Sequence, residues 1–312
     1  MSKVWKFDQV PLKFTLSDKT LLAPKMWLQV REVRLDDMQP VADLVPPSDP
    51  LEPQSQGFFI RSLPVTTIQP PVQHRAGYLC YVSSQYQRYY INLQQSFADY
   101  TQRFSAKTRS TIKRKVKKYA EYCGGDVIWK MYQTPEQMRE FFRLARNVSA
   151  KTYQEKILDA GLPESEEFLR DMETLAGQGQ VRGYMLFDSE QPVSYLYCPI
   201  RNSVLRYQYL GYDPSYAHWS VGTILHWYAL KSIFAERCFR LFDFTEGQGE
   251  LKRLFSTHSV QCANVFFLRC TVRNVMLVHA HRAVSAFSKW SGEVLDRYGA
   301  KTKIKKLIRF GR

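Results

Sequence analysis

The chain is 312 residues long, with 45% hydrophobic and 23% charged residues and a formal net charge of +15. This composition supplies core for one large domain or two smaller ones and excludes wholesale disorder. Six cysteines (Cys80, Cys123, Cys198, Cys238, Cys262, Cys270) include no CxxC pair and no cysteine–histidine zinc spacing, so reduced, mostly buried thiols and no metal site are expected. The opening MSKVWKFDQVPLKF lacks a signal peptide's apolar stretch, and no segment offers the roughly 18 apolar residues of a membrane span, so a cytoplasmic protein is expected. Charge is concentrated. Eight basic and no acidic residues fall in 103–118 (RFSAKTRSTIKRKVKK) and six more, again without an acid, in 301–312 (KTKIKKLIRFGR), together 14 of the net +15. The two stripes admit phosphorylated cofactors, anionic lipid, nucleic acid or acidic carrier proteins as partners.

Residues 1–92 read as strands with irregular connections: WLQVREVRL (27–35) alternates, and GYLCYVSSQYQRYYINL (77–93) has strand composition. The proline-rich QPVADLVPPSDPLEPQSQG between them is expected to be an exposed loop. From Ser96 onward Phe97, Tyr100, Phe104, Ile112, Val116 and Tyr119 trace one helical stripe that Gly124 and Gly125 stop, which predicts a single long basic helix. DVIWKMY (126–132) reads as a strand, and TPEQMREFFRLARNVSAKTY as a helix with Thr134 as N-cap and Pro135 at its first position. PESEEFLRDMETLAGQG reads as a second helix. VRGYMLFD, QPVSYLYCPI and VLRYQYLGYD then predict three strands joined by tight turns, an antiparallel meander. SYAHWSVGTILHWYALKSIFAERC turns into an amphipathic helix, FRLFDF is a strand, GELKRLFS a short helix, VQCANVFFLRCTV a strand, and NVMLVHAHRAVSAFSKWSGEVLDRYG a long final helix.

Residues 204–246 form one unit: strand, turn, helix, and a second strand ending in Asp243 and Glu246. A crossover of this size normally gives two parallel neighbours. The loop that opens its helix suits an anion, because first-turn N–H groups lack partners and the helix dipole is positive there. Ser220 and Gly222 are small enough to let a phosphate approach the backbone, and Thr223 adds a hydroxyl; an ordinary capped helix start fits the same residues. His218 borders the turn and His226 falls two helical turns later, a spacing that puts both on one face. With no third ligand, His218 is read as a phosphate contact and His226 as a core residue.

The order of these elements, and the stretch YQYLGYDPSYAHWSVGTILHWYALKSIFAERCFRLFDFTEGQGELKRLFS (207–256), resembles the GNAT N-acetyltransferase superfamily. More narrowly it is similar to the CelD-like acetyltransferase branch, and more distantly to the Fem aminoacyltransferases; FSAKTRSTIKRKVKKY (104–119) resembles the basic helix those proteins carry before their second domain. The resemblance implies an α/β (α+β) fold, a GNAT-like mixed twisted sheet flanked by helices, in two tandem halves. Residues 1–95 would be a degenerate half, 96–125 a basic connecting helix, 126–290 the acyl-CoA-binding GNAT domain and 291–312 a basic tail. It further implies that Tyr209, Leu210 and Gly211 pair with the pantetheine amides and that Trp219, Ser220, Val221, Gly222 and Thr223 hold the pyrophosphate. The superfamily's loop usually reads Q/R-x-x-G-x-G/A, whereas here Gly222 is its only glycine, preceded by Ala217, His218 and Trp219.

Attack of an amine on a thioester requires a proton acceptor, a donor to the carbonyl oxygen and a proton for the departing thiolate. Asp243 and Glu246 are the carboxylates placed for the first role, or a turn cap and a solvated side chain respectively. Tyr212, with Tyr209, is the candidate donor to the thiolate. Lys252, which the resembled branch also carries after its DF strand, is read as a contact for an acceptor anion, and Lys107 and Arg109 in the basic stripe likewise. The expected function is acyl-CoA-dependent N-acyl transfer, from acetyl-CoA or another acyl-CoA to an amine acceptor, in envelope or polysaccharide biosynthesis. The rivals are Fem-like transfer from aminoacyl-tRNA and a non-catalytic anion- or nucleic-acid-binding module. KTKIKKLIRFGR alternates lysines with Ile304, Leu307, Ile308 and Phe310, a pattern fitted either to peripheral contact with an anionic membrane or to a solvated tail.

Overall fold

The computed structural model describes residues 5–16, 19–152, 161–247 and 249–297. The chain folds as two compact units: Met1–Arg88 with Glu246–Gln248 and Ser259–Arg312, and Tyr89–Thr245 with Gly249–His258. The boundaries expected at 95 and 290 do not coincide with these. The last strand and the final helix return to the first unit, because their apolar residues complete its core, and the tail expected from 291 begins as continued helix up to Arg297. Residues 301–312, with the second basic stripe, lie outside the described residues.

The first unit is built on β1 (Lys6–Pro11), β4 (Lys25–Glu32), β5 (Gly57–Pro64), β14 (His258–Arg269) and the greater part of β7 (Tyr78–Asn92), in the order β1-β4-β5-β14-β7. β4 and β5 are parallel, and β1 with β4 and β5 with β14 are antiparallel. Two further strands, β2 (Phe14–Leu16) and β3 (Lys19–Leu22), pair with each other, and β6 (Val72–Arg75) pairs with β7. Alternate residues enter separate cores: Phe59, Leu79, Tyr81 and Phe266 on one face, Phe58, Ile60, Cys80 and Phe267 on the other. Burial on both faces explains the continuous apolar runs FFI and VFFL. The final helix contributes Val278 to the first of these cores. The proline-rich segment covers the second. Its Leu44 is buried, and Val41 and Leu51 pack beside it, so the exposed loop expected there forms and is also seated on the sheet by these residues. Composition counts polar residues, whereas three well-spaced apolar ones suffice to seat a segment.

In the second unit the end of β7 pairs with β13 (Leu241–Asp243), followed by β11 (Val204–Arg206), β10 (Gln191–Arg201), β9 (Val181–Asp188) and β8 (Trp129–Tyr132), with β12 (Tyr209–Tyr212) also on β10. The meander forms as expected. Asn202 and Ser203 both take positive φ (50° and 59°) between β10 and β11, the two-residue turn that matches strand twist. Helices α3 (Pro135–Ser149) and α4 (Glu166–Gly177) cover one face; α3 begins with the Thr134–Gln137 capping box and Pro135 at its start. On the other face lies α5 (Val221–Glu236), with α1 (Phe97–Gln102) and α2 (Ala106–Tyr122) against it. The single basic helix expected from Ser96 is therefore two, since Ser96 and Ser105 each cap a helix of their own. Nor is α5 amphipathic: nine of its residues, Val221 to Phe234, are buried, as befits a helix packed between a sheet and other helices. Among the described residues no helix is long and apolar enough to cross a membrane.

Candidate functional site

β11 and β13 run parallel through three pairs, ending at Arg206↔Asp243. The last ladder bond is Tyr207 N–H to the Asp243 carbonyl at 2.8 Å. There the two chains part: after Gln208, β12 pairs antiparallel with β10, from Tyr209↔Tyr197 to Tyr212↔Ser194, while the chain beyond β13 turns at Thr245. Among the described residues no strand pairs with the other edge of β12. That edge presents backbone N–H and C=O groups to an extended ligand. The single strand expected over 204–212 is thus two, and the switch of partner between them makes the opening.

Side chains of β12 alternate. Leu210 and Tyr212 approach the start of α5, while the Tyr209 ring packs 5.7 Å from Phe168 and 6.2 Å from Tyr197. Gly211 is fixed by packing: a Cβ there would lie 2.8 Å from Cζ of the buried Tyr195. Tyr212 does not join Asp243. Leu205 pairs with Ile200 and Tyr212 with Ser194, six residues along one strand, which is about 20 Å. Its ring instead meets the first turn of α5, at the other end of the opening.

The turn between β12 and α5 is a 3-10 helix, Pro214–Trp219, held from several sides. Asp213 accepts from Ser215 N–H (3.0 Å) and Oγ (2.7 Å) and pairs with Lys151 at 2.8 Å. Burial pushes the Asp213 carboxyl up, but Lys151 and the Ser215 donors outweigh it and hold its pKa below the usual range. Tyr216 and Tyr122 both donate to Asp188 Oδ2 (2.8 and 3.0 Å), and Trp219 lies against Tyr122 (4.5 Å between centroids) with Lys118 Nζ 5.0 Å from its ring. Ser220 then takes the left-handed conformation (φ 60°, ψ 36°) and makes no side-chain cap, a strain of about 1 to 2 kcal/mol that the pinned turn sustains. Its carbonyl accepts from Thr223 and Ile224, while the N–H groups of Val221 and Gly222 have no acceptor among the described residues. A Cβ on Gly222 would touch Tyr212 Cδ1 at 3.6 Å and Leu210 Cδ2 at 3.7 Å, ordinary contacts, so the fold does not demand glycine there. Unpaired donors and an uncrowded first turn fit a phosphate group.

At the other end, Asp243 is 3% exposed and accepts from Thr245 N–H at 2.8 Å, which is the turn-capping alternative. Glu246 belongs to the first unit, where it accepts from the buried Asn264 amide at 2.5 Å while staying exposed, as the solvated alternative expects. Lys252, on α6 (Glu250–Phe255), places Nζ 5.7 Å from the Tyr207 ring. His226 is fully buried against Tyr207, Phe242, Phe244 and Phe255, with neither nitrogen hydrogen-bonded. Burial lowers its pKa to about 3. His218 is exposed on the 3-10 turn, so the shared face expected for the two histidines is absent, and the core reading of His226 holds.

One feature escaped sequence reasoning. A groove of about 760 Å³ opens where α2, α5 and α6 meet. Lys107, Lys115 and Arg253 line it with the hydroxyl residues Thr108, Thr111 and Thr223, over apolar side chains that include Ile112 and Phe255. The four-residue spacing of Lys107, Thr111 and Lys115 is visible in sequence; the share of α6 is tertiary. Arg109, expected to contact an anion, is engaged elsewhere: its Nη1 donates to the carbonyls of Phe104 (2.5 Å) and Gln102 (3.2 Å), closing the end of α1.

No curated protein sequence matches the chain. Among solved structures, it is similar to the C-terminal domain of a putative lysylphosphatidylglycerol synthetase from Agrobacterium fabrum, at 7% identity over 67% of each chain, with a TM-score of 0.46. It is also similar to L-PGS from Bacillus licheniformis (14%, 73% of each chain, 0.45) and to FemX (9%, 72% of this chain and 74% of that one, 0.44). Residues 106–253 match the family described as an acetyltransferase (GNAT) domain. The segment similar to that family runs from the start of α2 into α6.

Proposed function

We propose that the second unit is an acyl-CoA-dependent N-acyltransferase that moves an acyl group directly to an amine acceptor. The parting of β12 from β13 beside a helix start with two unpaired N–H groups is the observation that carries this reading. A bound acyl-CoA supplies the activated thioester carbonyl. The unpaired edge of β12, between Tyr209 and Gly211 at Leu210, orients a pantetheine amide, and Val221, Gly222 and Thr223 hold a phosphate. Asp243, at the point of divergence, receives the proton of the amine, and Lys252 holds an anionic group of the acceptor. The first unit, also built on a mixed sheet, is read as the half without a cofactor loop.

The decisive measurement is calorimetric titration of the intact chain with acetyl-CoA and free CoA, together with the shift in Tm. Micromolar binding and a Tm that rises with ligand concentration are expected; no binding at millimolar CoA sinks the reading. Asp243→Asn should lower kcat by about 10² to 10⁴ in an acyl-CoA assay over a panel of amines while leaving CoA affinity intact. An equal loss of affinity overturns the role given to Asp243.

A further inference from the structure

The groove at the junction of α2, α5 and α6 is continuous with the proposed phosphate turn, because Thr223 belongs to both. Its charge is one-sided: Lys107, Lys115 and Arg253 against the single acid Glu250. Hydroxyls from Thr108, Thr111 and Thr223 add neutral donors, and the floor of Ile112, Leu251 and Phe255 is apolar. About 760 Å³ lies within the range of small-ligand sites. On α2 the stripe continues one turn further to Lys118, which rests over Trp219 of the turn itself. A basic helix therefore runs from the groove to the phosphate turn along one face.

Coenzyme A carries a diphosphate and, separately, a phosphomonoester on its ribose; a monoester bears about 1.5 to 2 negative charges at neutral pH. Two N–H groups at the start of α5 suffice for one phosphate and leave the others unmet. Cations beside hydroxyls and an apolar floor suit a phosphorylated nucleoside whose flat base needs burial. We infer that the groove seats the nucleotide end of the donor, with Lys107, Lys115 and Arg253 pairing with its ribose phosphomonoester. This rests on the acyl-CoA reading and assigns α2 a binding role that the turn alone does not require.

The test compares CoA with dephospho-CoA, which lacks only that monoester, by calorimetry at fixed salt. Wild type should bind CoA about tenfold more tightly. Lys115→Ala and Lys107→Ala, both on the surface of α2, should each weaken CoA several-fold while leaving dephospho-CoA within about twofold. Lys115→Arg should restore the preference, and unchanged Tm values would show that the variants fold. Equal affinity of wild type for the two ligands, or equal losses for both in the variants, overturns the groove assignment and leaves the acyl-CoA reading standing. Failure of both ligands to bind wild type overturns the two together.

Discussion

Among the described residues, β4 and β5 in the first unit and β11 and β13 in the second are parallel pairs, yet the two are connected differently. Between β4 and β5 runs an irregular segment that lies on the sheet as a cover. Between β11 and β13 the connection is α5, entered through a strained serine with unpaired N–H groups behind it. β4 pairs with β1 over Lys25–Val30 and with β5 over Gln29–Glu32, whereas the strand continuing from β11 leaves β13 after three pairs and moves to β10. The first unit's sheet is covered where its parallel pair lies. The second unit gives up pairing at one place, and that place is beside a helix start.

Glycine substitutions test the contrast most strongly. A Cβ on Gly57 in β5 would lie 2.9 Å from the backbone of Phe267 and Leu268, at φ 153°. Backbone in a paired strand cannot step aside, so Gly57→Ala should cost about 3 kcal/mol or more, read as a lowered urea midpoint. Gly211→Ala meets the Tyr195 side chain first and should cost about 1 to 3 kcal/mol. Adding Tyr195→Ala should make the pair cost less than the sum. Strict additivity would show that Gly211 is needed for another reason.

How much of this was legible in sequence depended on whether the cause was local. The Thr134 start of α3, the two-residue turn at Asn202 and Ser203, and the parallel crossover were readable because caps, turn residues and connection lengths act within a few residues. The split between β11 and β12 was not, since VLRYQYLGYD keeps strand composition throughout and only the partner changes. The burial of α5 on nearly all sides was missed, since an amphipathic helix was expected and its cover comes from α1 and α2, about a hundred positions earlier in the chain. Of the candidate site residues, the turn and the strand end were proposed from order in the chain. Where Tyr212 and Arg109 lie was not legible, because what a side chain touches is decided by the fold.

Two buried histidines, one in each unit, extend the comparison. His281 has partners, Tyr81 Oη at 2.5 Å and the Lys13 carbonyl at 3.1 Å, while His226 has none. Burial lowers both pKa values, that of His226 to about 3. A histidine whose native pKa lies below its unfolded value near 6.5 contributes fully above 6.5 and loses stability as pH falls toward 3, because the unfolded chain binds the proton first. For His226 the loss should reach about 2 kcal/mol at pH 5. His226→Leu, measured in urea at pH 7.5 and pH 5, should flatten the dependence by that amount; an unchanged difference between the two pH values would show that His226 is protonated or hydrated in the native state.

The smallest effect on stability is the most informative about the site. Gly222 differs from Gly57 and Gly211 in that nothing around it forbids a methyl group, with contacts at 3.6 and 3.7 Å. Gly222→Ala should therefore leave the urea midpoint unchanged or raise it slightly, by under about 1 kcal/mol, since alanine is the better helix former. If a phosphate approaches that N–H, the same methyl group stands in its way, and CoA affinity should fall about tenfold. Stability and affinity would then move in opposite directions at one position, as expected of a residue kept small for a ligand. A variant that binds CoA as wild type does would move the phosphate away from the first turn of α5.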